Sequence, residues 1–364
     1  MKTLNNKSLT KEEIENFGKE LEEIRLEVLS KIGEDDANYI KNIETKSRYF
    51  NILGRLLIHF SMDPITWGMG TSLLGISKII NNMELGHNVM HGQYDWMNDS
   101  SLNSKTFDWD NACENEHWKF SHNYMHHTYT NIIGKDHDLG YGIMRVSGEQ
   151  KWRPMHLFQV FTNLGLSVIF EFGVGRHGRD VEYHELPRKQ KTRDKKLENR
   201  NRYTGKREKL LLRDYVLFPA LAGVGAPKVF LGNLIANVIR NVWAYSIIFC
   251  GHFTENVEMF KQSEVKEETK SEWYLRQLKG SSNLEGNKTF YMLTGHLSHQ
   301  IEHHMFPDIP ANRYEEIAPR VKEICEKYEQ NYNTGNFFKQ FGEVWKRIFA
   351  YSFPDKYAEK IMAI

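Results

Sequence analysis

Two stretches of the chain carry long apolar runs, and each is broken once. Residues 49–80 (YFNILGRLLIHFSMDPITWGMGTSLLGISKII) hold two runs separated at Asp63-Pro64, where proline stops one helix and suits the first turn of the next. A helical hairpin is predicted. Its second arm, from about Pro64 to Met83, would be roughly 30 Å long at 1.5 Å per residue, the depth of a hydrocarbon core. Arg55 and His59 interrupt the first arm. Residues 214–250 (DYVLFPALAGVGAPKVFLGNLIANVIRNVWAYSIIFC) repeat the arrangement, with a Gly-Ala-Pro break near 226 and Lys228 and Arg240 as the charges of the interior. The pattern predicts two membrane hairpins with spans at about 47–62, 64–83, 213–230 and 232–251. Met155–Gly173 is apolar but short, and reads as a helix lying in the interface rather than as a crossing.

The remaining segments are polar. Residues 1–44 lack the apolar core of a signal peptide and read as an amphipathic, largely solvated helical region on the cytoplasmic side. Residues 188–213 carry twelve Lys/Arg against three Asp/Glu and read as a basic loop, which beside a span stays in the cytoplasm. Three roles are open to it: plain solvation, contact with anionic headgroups, or a dock for an acidic redox partner. After Pro307 an amphipathic helix is predicted with Ile317, Val321, Ile324 and Tyr328 on its apolar face. Residues 326–364 read as a C-terminal cytosolic tail.

Composition mainly excludes. Lys+Arg of 48 against Asp+Glu of 47 in 364 residues gives no global reason to bind nucleic acid. Three cysteines, Cys113, Cys250 and Cys325, have neither disulfide-framework nor zinc spacing. A mean hydropathy of −0.58 is that of a soluble protein, but a few spans under a large polar cap average to the same value.

The sixteen histidines change the picture, because they cluster. ELGHNVMHGQYDW sets His87 and His91 at i and i+4, on one helix face. HWKFSHNYMHHTYTN repeats that pair at His122 and His126 and adds His127, which on a helix points about 100° away from its neighbour and so serves a different ion or the opposite side of a two-ion cluster. HLSHQIEHHMFP repeats the doublet at His303 and His304, after His296, His299 and Gln300. His252 ends the second hairpin, as His91 follows the first, so the groups can meet on one membrane face. Buried neutral imidazoles are costly without partners, and metal ions supply partners. Seven or more imidazoles exceed the three or four ligands of a zinc site. Two ions are implied, and iron in a nitrogen-rich site can activate O2, which zinc cannot.

GHNVMHGQYDWMND, HNYMHHTYTNIIGKDHDLGYG and QIEHHMFPDIP resemble the bacterial branch of the membrane fatty acid desaturases, over roughly residues 45–325. The resemblance implies an all-α integral membrane fold, two transmembrane hairpins under a helical cytosolic cap that holds a di-iron site. Carried over residue by residue, it implies His87, His91, His122, His126, His127, His252, His303 and His304 as iron ligands. Gln300 stands where many members have a further histidine. His299 and His296 are candidates for a ligand or for a donor just outside the ligands, and Glu84, Asp136, Asp138 and Glu302 for carboxylates that orient imidazole N–H groups. Where some members have an asparagine four residues before the isolated histidine, this chain has Ile248. The implied reaction is O2-dependent insertion of a cis double bond into a long-chain acyl group carried on coenzyme A, acyl carrier protein or a lipid. No cytochrome b5 signature or iron–sulfur spacing is present, and the one GxGxxG match, GVGRHG at 173–178, follows no strand pattern of the kind a dinucleotide-binding unit needs, so electrons must come from a separate NAD(P)H-dependent reductase and a ferredoxin- or cytochrome b5-type carrier. The implied location is multi-pass in a bacterial inner membrane, with the active site and both termini cytoplasmic. Two rival readings use the same histidines: an alkane, sterol or carotenoid hydroxylase, and a non-enzymatic membrane metal-binding or transport protein.

Overall fold

A computed structural model describes residues 6–363; Met1–Asn5 and Ile364, and with them the expected cytoplasmic placement of the two chain ends, lie outside the described residues. Helix α1 (Lys11–Leu29) begins at Thr10, whose hydroxyl accepts from Glu13 N while the Glu13 carboxylate accepts from Thr10 N, a reciprocal cap. It is amphipathic, with one face buried. Phe17, Leu21, Ile24 and Val28 are buried in one cluster with Tyr274, Ile301, Met305, Tyr314, Ile317 and Val321, so α1 closes over the third histidine group.

The first hairpin is α2 (Glu34–Phe60) and α3 (Pro64–Ile80). Asp63 caps α3 by accepting from Ile65 N and Thr66 N at 2.9 Å, and Pro64 takes the first helical position. The chain then continues through a π-helical segment, Asn81–His87, and Asn88–Met90 to His91. In the second hairpin the break falls at Ala222–Gly225, where the Gly-Ala-Pro near 226 predicts it and ahead of the expected 230/232 span boundary, so the arm before it is short. It is the end of a longer helix whose front is the basic segment. That segment is no loop: Thr192 caps it, and α6 (Arg193–Leu212) follows α4 (Gln159–Val168) and α5 (Phe170–Glu185). Lys, Arg, Glu and Leu are good helix formers, which accounts for the difference.

The long arm of the second hairpin is α7 (Ala226–His252). With its lead-in, Gly223–His252 is long and apolar enough to cross a bilayer, and Pro154–Val168 with Phe170–Glu185, bent by 101°, is a second candidate as a broken span. Four such spans are not found among the described residues, because α2 carries Lys41, Glu44, Lys46 and Arg48 through its middle and the arm before α7 is short. The hairpin tips nevertheless adjoin one another: Lys228 Nζ donates to Ser61 O at 2.6 Å, and Trp67 Nε1 to Lys228 O at 2.9 Å. Buried Lys78 of α3 bridges Asp110 and Asp214 at 2.9 Å each, and buried Arg240 of α7 pairs with Glu171 of α5 at 2.5 Å. Thus each charge inside the apolar block is partnered.

Residues past 325 are integrated into the fold. After α8 (Lys270–Lys279), strand β1 (Asn283–Glu285) pairs in parallel with β2 (Thr334–Asn336). Between the strands lie α9 (Gln300–Met305) and α10 (Tyr314–Lys327). Helix α11 (Phe337–Ala350) buries Val344 and Ile348 in the cluster that holds Ala244, Tyr245 and Phe249 of α7.

Candidate metal centre

The ends of the two long arms and the two remaining histidine groups converge. His87, His91, His122 and His303 form one set of nitrogens lying within 4.8 Å of one another; His126, His252 and His304 form a second, and His127 joins His303 and His304 in a third. Each doublet is split, since His126 and His127 fall in different sets, as His303 and His304 do in the first two. Both His87 and the His122/His126 pair lie in π-helical segments, Asn81–His87 and Lys119–His126; such wide turns are uncommon and recur at functional sites.

The donor set fits metal ions on its own hydrogen bonding. His252 Nε2 lies 3.3 Å from His126 Nε2, 3.2 Å from His304 Nε2 and 3.0 Å from Gln300 Nε2. One ring nitrogen has one proton or one lone pair and cannot satisfy three neighbours; an ion among them would. His91 Nε2, His127 Nε2 and His303 Nε2 are buried with no hydrogen-bond partner, a state that costs about 1–3 kcal/mol per group when nothing compensates it. Burial, and then the neighbouring imidazoles, push His127, His303 and His304 well below the usual histidine range. The rings are therefore neutral, the form that binds metal.

The outward nitrogens are held by other residues. His126 Nδ1 meets Asp136 Oδ2 at 3.0 Å, and the same oxygen accepts from Asn131 N at 2.8 Å. Burial disfavours the His126 imidazolium, but the carboxylates of Asp136 and Asp138 outweigh it and raise its pKa. Asp138 stands 3.7 Å from His122 Nδ1 and 2.9 Å from His177 Nε2. Replacing Asp136 by Asn (D136N) is expected to weaken metal binding about 10- to 100-fold, read by chelator competition; an unchanged affinity would remove Asp136 from this role.

Glu84 and Glu302 do not orient these rings. Glu84 has the Glu-x-x-His spacing to His87 that marks carboxylate-rich di-iron bundles, yet its oxygens accept from Tyr39 OH at 2.8 Å and meet His296 Nδ1 at 3.0 Å. Glu302 is held by Asn283 Nδ2 and Tyr332 OH at 2.8 Å each, and burial pushes its pKa up to about 7.

His296 and His299 are likewise turned away, because the third group is not one helix. Gly295 and His296 take left-handed conformations, Leu297–His299 is a 3-10 turn, and α9 starts only at Gln300. His299 packs its ring 4.6 Å from that of Tyr291. Gln300, on the helix with His303 and His304, puts its amide against His252.

Three partners of the cluster were not legible from spacing. Thr130 Oγ1 and Gln277 Oε1 lie 3.2 and 3.1 Å from His304 Nδ1, and His177 completes the Asp138 contact. His177 had a signal: Gly175 and Gly178 beside it are the small residues that let α5 approach the 112–121 segment closely.

A narrow cavity of about 60 Å³ runs along one side of the cluster. His87, His122, His126, His252 and Gln300 line it, and Met83, Phe170, Val174, Ala244 and Ile248 make it largely apolar. The candidate metal ligands form part of its wall.

A model of the fatty acid desaturase family matches residues 64–336. The chain is 41% identical over 353 residues to the NADPH-dependent stearoyl-CoA 9-desaturase of Mycobacterium tuberculosis, covering 96% of this chain and 82% of that protein. It is 27% identical over 285 residues to the sn-1 linoleoyl-lipid 6-desaturase of Synechocystis, covering 74% and 76%. With human fatty acid desaturase 3 it shares 29% identity over 131 residues, covering 33% and 28%.

Proposed function

The chain belongs to the fatty acid desaturase family, and from that premise we propose that it inserts a cis double bond into a long-chain acyl thioester at a membrane, using two irons, O2 and electrons from a separate NADPH-dependent carrier system. The observation that carries this reading is the apolar cavity with His87, His122, His126 and His252 in its wall. Removing hydrogen from an unactivated methylene is beyond a side-chain acid or base, and bound iron supplies that oxidising power from O2. His87, His91, His122 and His303 would hold one ion, and His126, His252 and His304 the other, with Gln300 beside the second and His127 between the two. The chain's own part is to hold those nitrogens, through Asp136, Asp138, Gln277 and Thr130, and to lay the acyl chain in a dry channel past them.

The relative matched over almost the whole chain is named for stearoyl-CoA and for NADPH, which favours a coenzyme A thioester over the lipid-borne chain in the name of the Synechocystis protein. A membrane setting is supported by the surface. Met62 at one hairpin tip is 98% exposed, and Phe60, Ile65 and Leu221 beside the tips are 69–75% exposed; loop tips in water are polar, and a contiguous apolar patch marks contact with an apolar phase. The histidines lie at the far ends of the arms, away from those tips, where a midplane transport site would not lie. Four crossings with the histidines and both termini cytoplasmic, in a bacterial inner membrane, is the topology proposed with this reading. Overall one acyl –CH2–CH2–, O2, two electrons and two protons would give –CH=CH– and two waters.

Cells without a C18 desaturase that express the chain are expected to accumulate monounsaturated C18 acid only when aerated, as read by gas chromatography of acyl methyl esters. A hydroxy acid without an alkene would replace this reading by a hydroxylase.

A further inference from the structure

The histidine cluster is approached from two sides. The apolar cavity touches His87, His122, His126, His252 and Gln300, whereas an open groove of about 810 Å³ on another side reaches one cluster residue, His127. The two share no lining residue. One wall of the groove is the chain leaving the second histidine group, with Tyr129 and Lys135; the other is the 262–270 segment and the start of α8, with Lys266, Lys270 and Trp273. Arg276 ties the walls together from below. It is buried, donates to the carbonyls of Thr128 and Thr130 at 3.0 and 2.9 Å, and pairs with Glu268 at 2.7 Å.

Among the residues lining the groove the basic ones outnumber the acidic, Lys135, Lys266, Lys270 and Arg276 against Glu268, and exposed Glu264 and Glu267 flank Lys266 in the same segment. Lys135, Lys266 and Lys270 are exposed, and among the described residues none of them has a carboxylate within 4.0 Å. The side chains they do cover are aromatic: Lys135 lies over Tyr129 and Lys270 Nζ stands 3.9 Å over Trp273. Helix α6, the more conspicuous basic segment, is placed differently. Arg202 pairs with Glu114 and Glu182, Lys206 with Asp108, and α6 lines neither the cavity nor the groove.

We propose that this groove, and not the basic 188–213 segment, is the docking surface for the electron donor, a soluble one-electron carrier protein with an acidic face. The proposal rests on the desaturase reading, which needs two electrons from outside the chain for each double bond. Two successive encounters would each oxidise one reduced carrier by one electron, delivered beside His127. The acyl thioester is a poor occupant, because its headgroup must be continuous with the cavity that receives the chain, and the groove is not. A charged rim around a small aromatic floor suits a brief encounter in which electrostatics set the association rate.

The test uses the full-length protein in nanodiscs and an acidic [2Fe–2S] ferredoxin as probe. Its Kd is measured by titration from low to high salt, alongside the KM values for reduced ferredoxin and for stearoyl-CoA. The triple variant K135E/K266E/K270E is expected to raise Kd and the ferredoxin KM about tenfold or more at low salt and to flatten the salt dependence. Bound iron and the stearoyl-CoA KM should stay at the wild-type value. A control variant, K189E/K196E/R200E on and before α6, should leave ferredoxin binding as it was. Unchanged binding in the groove variant, or loss confined to the α6 control, would overturn the proposal. So would a rise in the stearoyl-CoA KM alone, which would make the groove the headgroup site. If the wild-type protein forms no double bond from stearoyl-CoA with any reductant, the desaturase reading itself fails, and that is seen before the variants are compared.

Discussion

Replacing His252 by Ala should cost the protein one of the two irons proposed for it and lower double-bond formation at least about a thousandfold, roughly 4 kcal/mol in barrier. The expectation follows from one nitrogen. His252 Nε2 is the point on which His126, His304 and Gln300 converge at 3.0–3.3 Å, so deleting the ring removes the common neighbour of the second set. The first set, His87, His91, His122 and His303, does not include it and should keep its ion. Elemental analysis against protein concentration reads this directly, with Tm measured to show that the variant folds. Two companions sharpen the result. Q300A should weaken the second iron without abolishing the first, because its amide faces His252. H299A should retain both irons and lose only packing, since its ring lies against Tyr291 and outside the described sets. Loss of iron in H299A with full occupancy in Q300A would reverse the assignment of the third histidine group.

What the sequence made legible was punctuation and grouping. Asp63-Pro64 and Gly225-Ala226-Pro227 mark real helix starts, because proline's fixed φ and missing N–H suit a first turn and the apolar runs around them have length to spare. The three histidine groups also stood out, since i, i+4 spacing survives even where the segment turns out to be π-helical rather than α-helical. Other features were readable and were misread. The 188–213 segment has strong helix formers and Thr192 as a cap, and Phe337, Phe341, Val344 and Ile348 carry a helical apolar stripe within residues 326–364. Of the four expected spans only one or two are long and apolar enough by themselves among the described residues, because hydropathy says how apolar a stretch is, not where a neighbouring charged helix ends, and the arm before α7 is the end of α6 continued. Least legible were the contacts made across the fold. Nothing near Gln277 announces that it meets His304, and nothing in HLSHQIEHH says that Glu84, more than two hundred residues earlier, will hold His296. The left-handed pair at Gly295 and His296 decided which histidines of that group face the cluster, and backbone handedness there is imposed by a distant segment.

That segment makes Gly295 the position where a single methyl group should do the most damage. Its φ is +65°, a region that costs an ordinary residue about 1–2 kcal/mol, and a Cβ there would lie 2.6 Å from the carbonyl carbon of Met83 and closer still to its oxygen. The obstacle is backbone, and it is the backbone of the π-helical segment Asn81–His87 that delivers His87. The next residue is tied to the same place, for Asn88 Nδ2 donates to Gly295 O at 3.3 Å. A flexible side chain could step aside; this carbonyl can move only with His87. G295A is therefore expected to cost about 3 kcal/mol, strain and overpacking together, and to push the His87 segment away from α9, separating His87 from His303 in the first set. Thermal unfolding should show the stability loss and metal analysis a lower iron content. The matched control is G142A, where φ is +70° but no atom lies within 4 Å of the added Cβ. It should lose about 1 kcal/mol from strain alone and keep its iron. Equal effects in the two variants would mean that the approach of Gly295 to Met83 does not hold the first and third histidine groups in register.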